Sequence, residues 1–120
     1  MLEFDLNKDS GILVLKPHGP LAAEDFAAVT AAVDSFIGDI GQLNGVMIYA
    51  KDFPGWEDFA GLASHLKFVR EHHKHIKKLA TVSDSTVLTI MPKIAGHFIN
   101  AEARHFDAAD LYAAEIWLAE

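Results

Sequence analysis

The stretch from Leu43 to His75 reads LNGVMIYAKDFPGWEDFAGLASHLKFVREHHKH, and it predicts a buried strand, a tight loop and a long amphipathic helix. The apolar run VMIY at 46–49 suits a central strand that is covered on both faces. Pro54 lacks the amide that a strand ladder needs and Gly55 accepts turn dihedrals, so the strand ends in a loop. In an open α/β sheet, a loop that joins a strand to the next helix is the expected place for a ligand site, here residues 51–56.

The helix after this loop has apolar residues at three- and four-residue spacing, which predicts the side that packs on the sheet. These residues are Phe59, Leu62, Ala63, Leu66 and Val69. Phe68 lies about 180° around the helix from Phe59, so it is predicted to be exposed. Phe68, His65 and His72 together are predicted to form a surface for self-association or for binding a protein partner. The alternative is a single exposed aromatic side chain without a role.

The first half of the chain adds a hairpin and a helix to this unit. Alternating side chains at 2–6 and an apolar run at 12–15 flank the turn-forming segment NKDSG, which predicts an antiparallel hairpin at a sheet edge. A helix is predicted from about Ala22 to Gly38. Its inward residues are Phe26, Val29, Val33 and Phe36.

The second half continues the alternation of strands and helices. Strands are predicted at 76–82 and at 103–106, with a helix that Pro92 kinks at 86–98 between them. Asp107 is predicted to cap a last helix. This helix carries Leu111, Ala114, Trp117 and Leu118 inward.

The predicted order is therefore β-β-α-β-α-β-α-β-α in one domain over residues 1–120. Strands that alternate with helices form a mostly parallel sheet with helical cover, apart from the initial hairpin. The fold class is α/β, with a mixed sheet of about five strands and about four helices.

The composition and the net charge exclude some classes of protein. Hydrophobic residues make up 51% of the 120 residues and charged residues 22%, which excludes a disordered chain. A net charge of −7 weighs against nucleic acid as a partner. No apolar run reaches the roughly 20 residues of a membrane span, and the first residues, MLEFD, lack the features of a signal peptide, so a cytoplasmic protein is expected. The absence of cysteine agrees with that expectation.

The charge is unevenly distributed, because the segment 67–78 carries five Lys or Arg residues and one Glu. One interpretation is that these cations stabilise the carboxyl end of a helix dipole. The other is that they bind an acidic partner or an anionic head group.

Several stretches together resemble the SpoIIAA-like branch of the STAS fold over the whole length. They are the strand GVMIYAKDFPGW, the helix from Glu57, the strand KLATVSDS and the closing segment HFINAEARHFDAADLYAAEIWL. The resemblance implies a small mixed sheet with helices and a non-catalytic regulatory or protein-interaction module. Antagonist members of this family carry a phosphorylatable serine at the start of the helix after the third strand. Residues 52–58 of this chain contain no hydroxyl side chain, so no such switch is expected here.

The resemblance also extends to the overall shape of lipid-carrying CRAL-TRIO domains, which suggests an apolar ligand. The loop at 51–56, which follows the buried strand at 46–49, supports this second hypothesis, because its aromatic side chains and the adjacent helix amides can form an apolar pocket with a polar end. The predicted ligand-binding residues are Lys51, Phe53, Pro54, Trp56 and Glu57. Two functions thus remain open, an interaction module that forms a homodimer or binds a protein partner, and a carrier or sensor of a small apolar molecule.

Seven histidines invite a metal or acid–base interpretation, but their spacing does not support one. No HExxH motif or other spaced ligand set is present, so no metal site is predicted. His97 and His105 with Asp107 lack a positioned nucleophile in the sequence, so no catalytic residues and no cofactor are predicted.

Overall fold

The computed structural model describes residues 1–85 and 101–120. Five strands form one sheet whose spatial order equals their order in the chain. The strands are β1 (Leu2–Asn7), β2 (Ile12–Pro17), β3 (Gly45–Tyr49), β4 (Lys78–Val82) and β5 (Glu102–Phe106), and the helices are α1 (Asp25–Ile40), α2 (Phe59–His72) and α3 (Leu111–Ala119). Short 3₁₀ turns lie at His73–His75 and Ala108–Asp110.

The sheet is mixed, as the sequence predicts. Strands β1 and β2 pair in antiparallel fashion, whereas β2 through β5 pair in parallel. Gly11 closes the hairpin with a φ of 71°, and its carbonyl accepts the amide of Asn44 at the start of β3. Three helices are found in the described ranges, and the predicted kinked helix at 86–98 lies outside them.

Helix α1 covers one face of the sheet with the side that its sequence predicts. All four predicted inward residues, Phe26, Val29, Val33 and Phe36, are buried. They join a core cluster with Leu13 and Leu15 of β2 and with Val46 of β3. Their three- and four-residue spacing places them on one stripe, so the whole stripe loses contact with water together.

Helix α3 covers the opposite face and also confirms its predicted side. Ala114, Trp117 and Leu118 are buried against residues of β3 and β4. Gly45 makes this packing close, since a Cβ there would lie 2.8 Å from a methyl group of Leu118. Lys78 also faces α3, where its Nζ donates to the carbonyl of Trp117 at 3.0 Å. This lysine therefore lies apart from the rest of the basic segment.

None of the helices in residues 1–85 and 101–120 has the length and apolar character needed to cross a membrane.

Candidate functional site

The loop after β3 is held on both sides by hydrogen bonds. The carbonyl of Lys51 accepts the amide of Asp84 at 2.9 Å and the hydroxyl of Ser83 at 3.2 Å. Farther along, the amide of Leu21 donates to the carbonyl of Gly55, and the amide of Glu57 donates back to the carbonyl of Leu21. The loop is thus fastened to the end of β4 and to the segment before α1.

Helix α2 begins close to the backbone of that same segment. Asp58 caps the helix by accepting the amide of Gly61 at 2.9 Å, so part of the helix start that was expected to receive a ligand is already occupied. A Cβ added at Gly61 would overlap the carbonyl oxygen of Leu21. Because only glycine permits this approach, the stripe of α2 that contains Gly61 is the one that faces the protein.

The buried stripe of α2 is not the one predicted. Phe68 is only 7% exposed and His72 only 3% exposed, so the expectation that Phe68 faces solvent is wrong. The ring of Phe68 stacks on that of His72, with centroids 4.4 Å apart, and lies beside Phe26 of α1. The three residues His65, Phe68 and His72 therefore form part of the α1–α2 contact rather than an outer surface.

Hydrogen bonds explain how a histidine occupies this position. The Nδ1 atom of His72 lies 2.7 Å from the carbonyl oxygen of Phe68, and Nε2 lies 2.7 Å from a carboxylate oxygen of Asp34 on α1. Each ring nitrogen therefore faces an acceptor. Burying a polar group that keeps its hydrogen-bond partners costs far less free energy than burying one that loses them, so His72 can lie in the core.

The outward side of α2 carries two large apolar side chains that were predicted to pack on the sheet. Phe59 is 81% exposed and Leu66 is 59% exposed. The prediction is wrong at these positions, because the close approach of Gly61 to Leu21 turns a different side of the helix towards the protein. Val69, which was also predicted to face inward, is half-buried and lines the cavity described below.

A cavity of about 130 Å³ lies between α1, α2 and the sheet. Its described lining is almost entirely apolar, and the polar side chains in it are those of His65, His73 and Thr81. The apolar lining comprises Leu2, Leu15, Pro17, Leu21, Phe26, Val29, Val46, Ile48, Phe53, Phe68, Val69, Ile76, Leu79 and Ala101. Such a space suits a small apolar molecule.

Aromatic rings connect this cavity to the loop. The indole nitrogen of Trp56 donates to Nδ1 of His65 at 3.0 Å. The Trp56 ring also packs edge to face against the ring of Phe53. His65 also stacks on Phe26, with centroids 5.3 Å apart. Burial lowers the pKa of the His65 imidazole below its ordinary value of 6.5, because the charged form loses hydration. Since Nδ1 accepts, the proton of the neutral ring is on Nε2.

The structure brings one of the five predicted ligand residues to the cavity. Phe53 lines it, whereas Lys51 and Glu57 are exposed, and Pro54 and Trp56 are half-buried outside the described lining. The participation of these four in binding stays a prediction. Sequence reasoning missed most of the lining, because it comes from α1, α2 and four strands that approach one another only in the fold.

One polar arrangement on β4 and β5 was also missed. Thr81 Oγ1 lies 3.3 Å from Nδ1 of His105, whose Nε2 lies 3.5 Å from a carboxylate oxygen of Asp107. Thr81 and His105 are paired neighbours on adjacent parallel strands, and Thr81 also pairs with Ile48 on its other side. We interpret the contact as a cross-strand hydrogen bond. In the described ranges, no group of three or more His, Cys, Asp or Glu residues is arranged to hold a metal ion.

Comparisons with known proteins agree on the fold. The family model described as SpoIIAA-like matches residues 12–119. A solved structure, an uncharacterized protein of the DUF3478 family with a SpoIIAA-like fold from Shewanella loihica PV-4, is similar with a TM-score of 0.76 and 22% sequence identity. The match covers 98% of this chain and 92% of that one. A search of curated proteins finds no match. These findings are compatible with a regulatory or interaction module, and nothing in them shows catalysis.

Proposed function

The chain belongs to the SpoIIAA-like family, and we propose that within this family it is a non-catalytic module that binds a small apolar molecule between α1, α2 and the sheet. The observation that carries the proposal is the apolar cavity of about 130 Å³ in that position. A concave space lined almost entirely by apolar side chains, with a few polar groups, is the usual form of a small-molecule site.

The size and lining of the cavity favour a compact ligand. An engineered apolar cavity of about 150 Å³ binds benzene and stays dry without it. The cavity here is of comparable volume and has three polar side chains in its described lining, those of His65, His73 and Thr81. The ligand class is therefore an apolar molecule of about the size of a benzene ring, with at most one or two polar atoms.

Helix α2 gives the ligand a route to influence the outer surface. Phe68 and Val69 line the cavity, while Lys67 and Arg70, which flank them in the chain, are exposed on the same helix. A molecule that fills the cavity adds contacts to one side of α2 and so favours one position of the helix. This arrangement suits a sensor or a ligand-regulated interaction module. Residues 52–58 contain no hydroxyl group, so phosphorylation at the start of α2 is not proposed as the switch.

The test is ligand binding by the whole chain, with benzene, toluene and ethylbenzene as probes. Binding is measured as a rise in melting temperature and as a change in Trp56 emission in a Trp117→Phe background, because Trp56 contacts Phe53 in the cavity wall. Val69→Phe should fill the space and abolish both responses. Ala31→Phe adds a ring on the exposed side of α1 and should leave both intact.

Absence of both responses across the probes would contradict the proposal. Equal loss in Val69→Phe and Ala31→Phe would assign the responses to some other place on the molecule. Native mass spectrometry of the protein as purified provides an independent measurement, since a retained small molecule raises the measured mass and should be missing from Val69→Phe.

A further inference from the structure

The outward side of α2 combines exposed apolar and basic residues in a regular order. Phe59, Ala63, Leu66 and Arg70 follow one another at spacings of four, three and four, which places them on one stripe of the helix. All four are exposed. This stripe, with the neighbouring Lys67 and Lys74, is called the outer α2 face below.

The outer α2 face is divided along its length. Its first two turns are apolar, with Phe59 81% exposed and Leu66 59% exposed. Its last turn and the 3₁₀ turn after it carry Arg70 and Lys74, for which the described residues provide no carboxylate partner, and Lys67 is only weakly paired with Glu71 at 4.0 Å. Apolar side chains beside cations that lack acid partners are the features that let a helix lie on an anionic lipid surface.

We propose that the outer α2 face docks this protein on a membrane surface that contains anionic lipids. Phe59 and Leu66 enter the boundary between head groups and acyl chains. Lys67, Arg70 and Lys74 contact the lipid phosphates and carboxylates.

The charge distribution orients the molecule on such a surface. The chain has a net charge of −7, yet its basic residues are concentrated in the segment 67–78. The molecule measures 33 × 30 × 26 Å, so acidic groups on its far side lie well beyond the roughly 8 Å over which charges act at physiological salt. An anionic bilayer therefore interacts chiefly with the nearest side. On the α2 side the exposed acids Glu57 and Asp58 lie at the start of the helix, whereas Lys67, Arg70 and Lys74 outnumber Glu71 towards its end, so the attraction acts at that end.

The area of the face argues against a second copy of the chain as the occupant. Helix α2 has 14 residues, so it is about 21 Å long and about 10 Å wide, and one side of it covers roughly 200 Å². A stable dimer usually buries about 800 Å² on each partner. Insertion of two apolar side chains into a bilayer has no such area requirement.

This site differs from the ligand cavity, because the outer α2 face lies on the solvent side of the helix and Phe59 and Leu66 do not line the cavity. Substitutions at one site can therefore abolish docking or ligand binding without affecting the other, and the two can be measured separately.

The test is co-sedimentation of the protein with vesicles of phosphatidylcholine alone and of phosphatidylcholine mixed with phosphatidylserine. We expect binding to the mixed vesicles that weakens as salt is raised, and little binding to phosphatidylcholine alone. The double variant Phe59→Ser, Leu66→Ser should reduce the vesicle affinity by about tenfold or more, because each side chain contributes its own transfer free energy. The double variant Arg70→Gln, Lys74→Gln should remove the preference for phosphatidylserine.

Matched controls come from other faces of the molecule. Tyr112→Ser, Ile116→Ser removes two exposed apolar side chains from α3, on the opposite side of the sheet, and Lys8→Gln, Lys16→Gln removes two exposed lysines from the hairpin. Both should bind like the wild type. All the substituted side chains are exposed, so we expect each variant to fold. Its melting temperature checks this.

The proposal is overturned if the wild type does not bind mixed vesicles or binds both vesicle types equally. It is also overturned if the α3 and hairpin controls lose as much affinity as the outer α2 face variants. A wild type that sediments as a dimer without lipid, and that Phe59→Ser, Leu66→Ser converts to a monomer, would assign this face to a second copy of the chain instead.

Discussion

The indole nitrogen of Trp56 donates a hydrogen bond to Nδ1 of His65, across a distance of 3.0 Å, and the imidazole is held between the Trp56 and Phe26 rings. The bond requires Nδ1 to be unprotonated, and burial lowers the pKa of this imidazole below 6.5. Well above pH 6.5 the residue is neutral in both folded and unfolded chains. Below it, the unfolded chain takes up a proton more readily than the folded one, so the free energy of unfolding falls.

We predict that His65→Gln flattens this acid-side loss of stability. The glutamine cannot titrate, and its carbonyl can still accept the Trp56 N–H. Urea unfolding of both proteins at a series of pH values through 6.5 measures the difference. His75→Gln removes an exposed imidazole and serves as the control. If wild type and His65→Gln lost stability in parallel, the acid sensitivity would come from other groups.

The contact between Asp34 and His72 joins α1 to α2, and we predict that Asp34→Ala destabilises the protein by about 1 to 3 kcal/mol. The substitution leaves the buried Nε2 of His72 without its acceptor at 2.7 Å. Asp39→Ala, an exposed position near the end of the same helix, should change stability by less than about 0.5 kcal/mol. Urea unfolding compares the two, and equal effects would show that the Asp34 contact contributes nothing to the native state.

Two glycines in helices should respond in opposite directions to alanine. Gly61→Ala should destabilise the protein by about 1 to 3 kcal/mol, because its Cβ would overlap the carbonyl of Leu21 and push α2 away from the core. Gly38→Ala should stabilise it by roughly 0.5 to 1 kcal/mol, because no atom lies near its added Cβ and alanine restricts the unfolded chain. Thermal unfolding measures both, and a stabilised Gly61→Ala would contradict the backbone contact.

Phe53 lines the cavity from the loop after β3, whereas Lys51 of the same loop does not. Phe53→Ala should enlarge the cavity, lower stability by about 1 to 3 kcal/mol and shift ligand preference towards larger aromatic probes such as naphthalene. Lys51→Ala should leave the ligand preference unchanged, because that side chain is exposed outside the described lining. The rise in melting temperature that benzene and naphthalene each produce shows which probe a variant binds more tightly. An unchanged preference in Phe53→Ala would place the bound probe elsewhere.

Much of the fold can be predicted from the sequence because most elements carry a single unambiguous pattern. The inward stripe of α1, from Phe26 to Phe36, contains every large apolar residue of its central turns, so only one orientation buries them. The five strands coincide with the predicted apolar and alternating segments. The predicted helix at 86–98 falls outside the described residues and is neither confirmed nor contradicted.

Helix α2 could not be oriented in the same way, because apolar residues occur on both of its sides. Phe59 and Leu66 compete with Phe68 in any hydrophobicity pattern. The decision rests on Gly61, whose missing side chain permits a backbone contact, and on His72, whose partners lie on other parts of the chain. Neither long-range contact is visible in a local pattern. The cavity was unpredictable for the same reason, since its walls come from distant segments.

The sheet order described above has a consequence for synthesis of the chain. Every strand pairs with the strand that precedes it, so no strand must wait for a later one before it finds a neighbour. Chains leave the ribosome at about 5–20 residues per second, whereas loops and hairpins form within microseconds. A nascent chain can therefore extend its sheet one strand at a time, and the face that α3 covers is closed only after β5 has joined the edge.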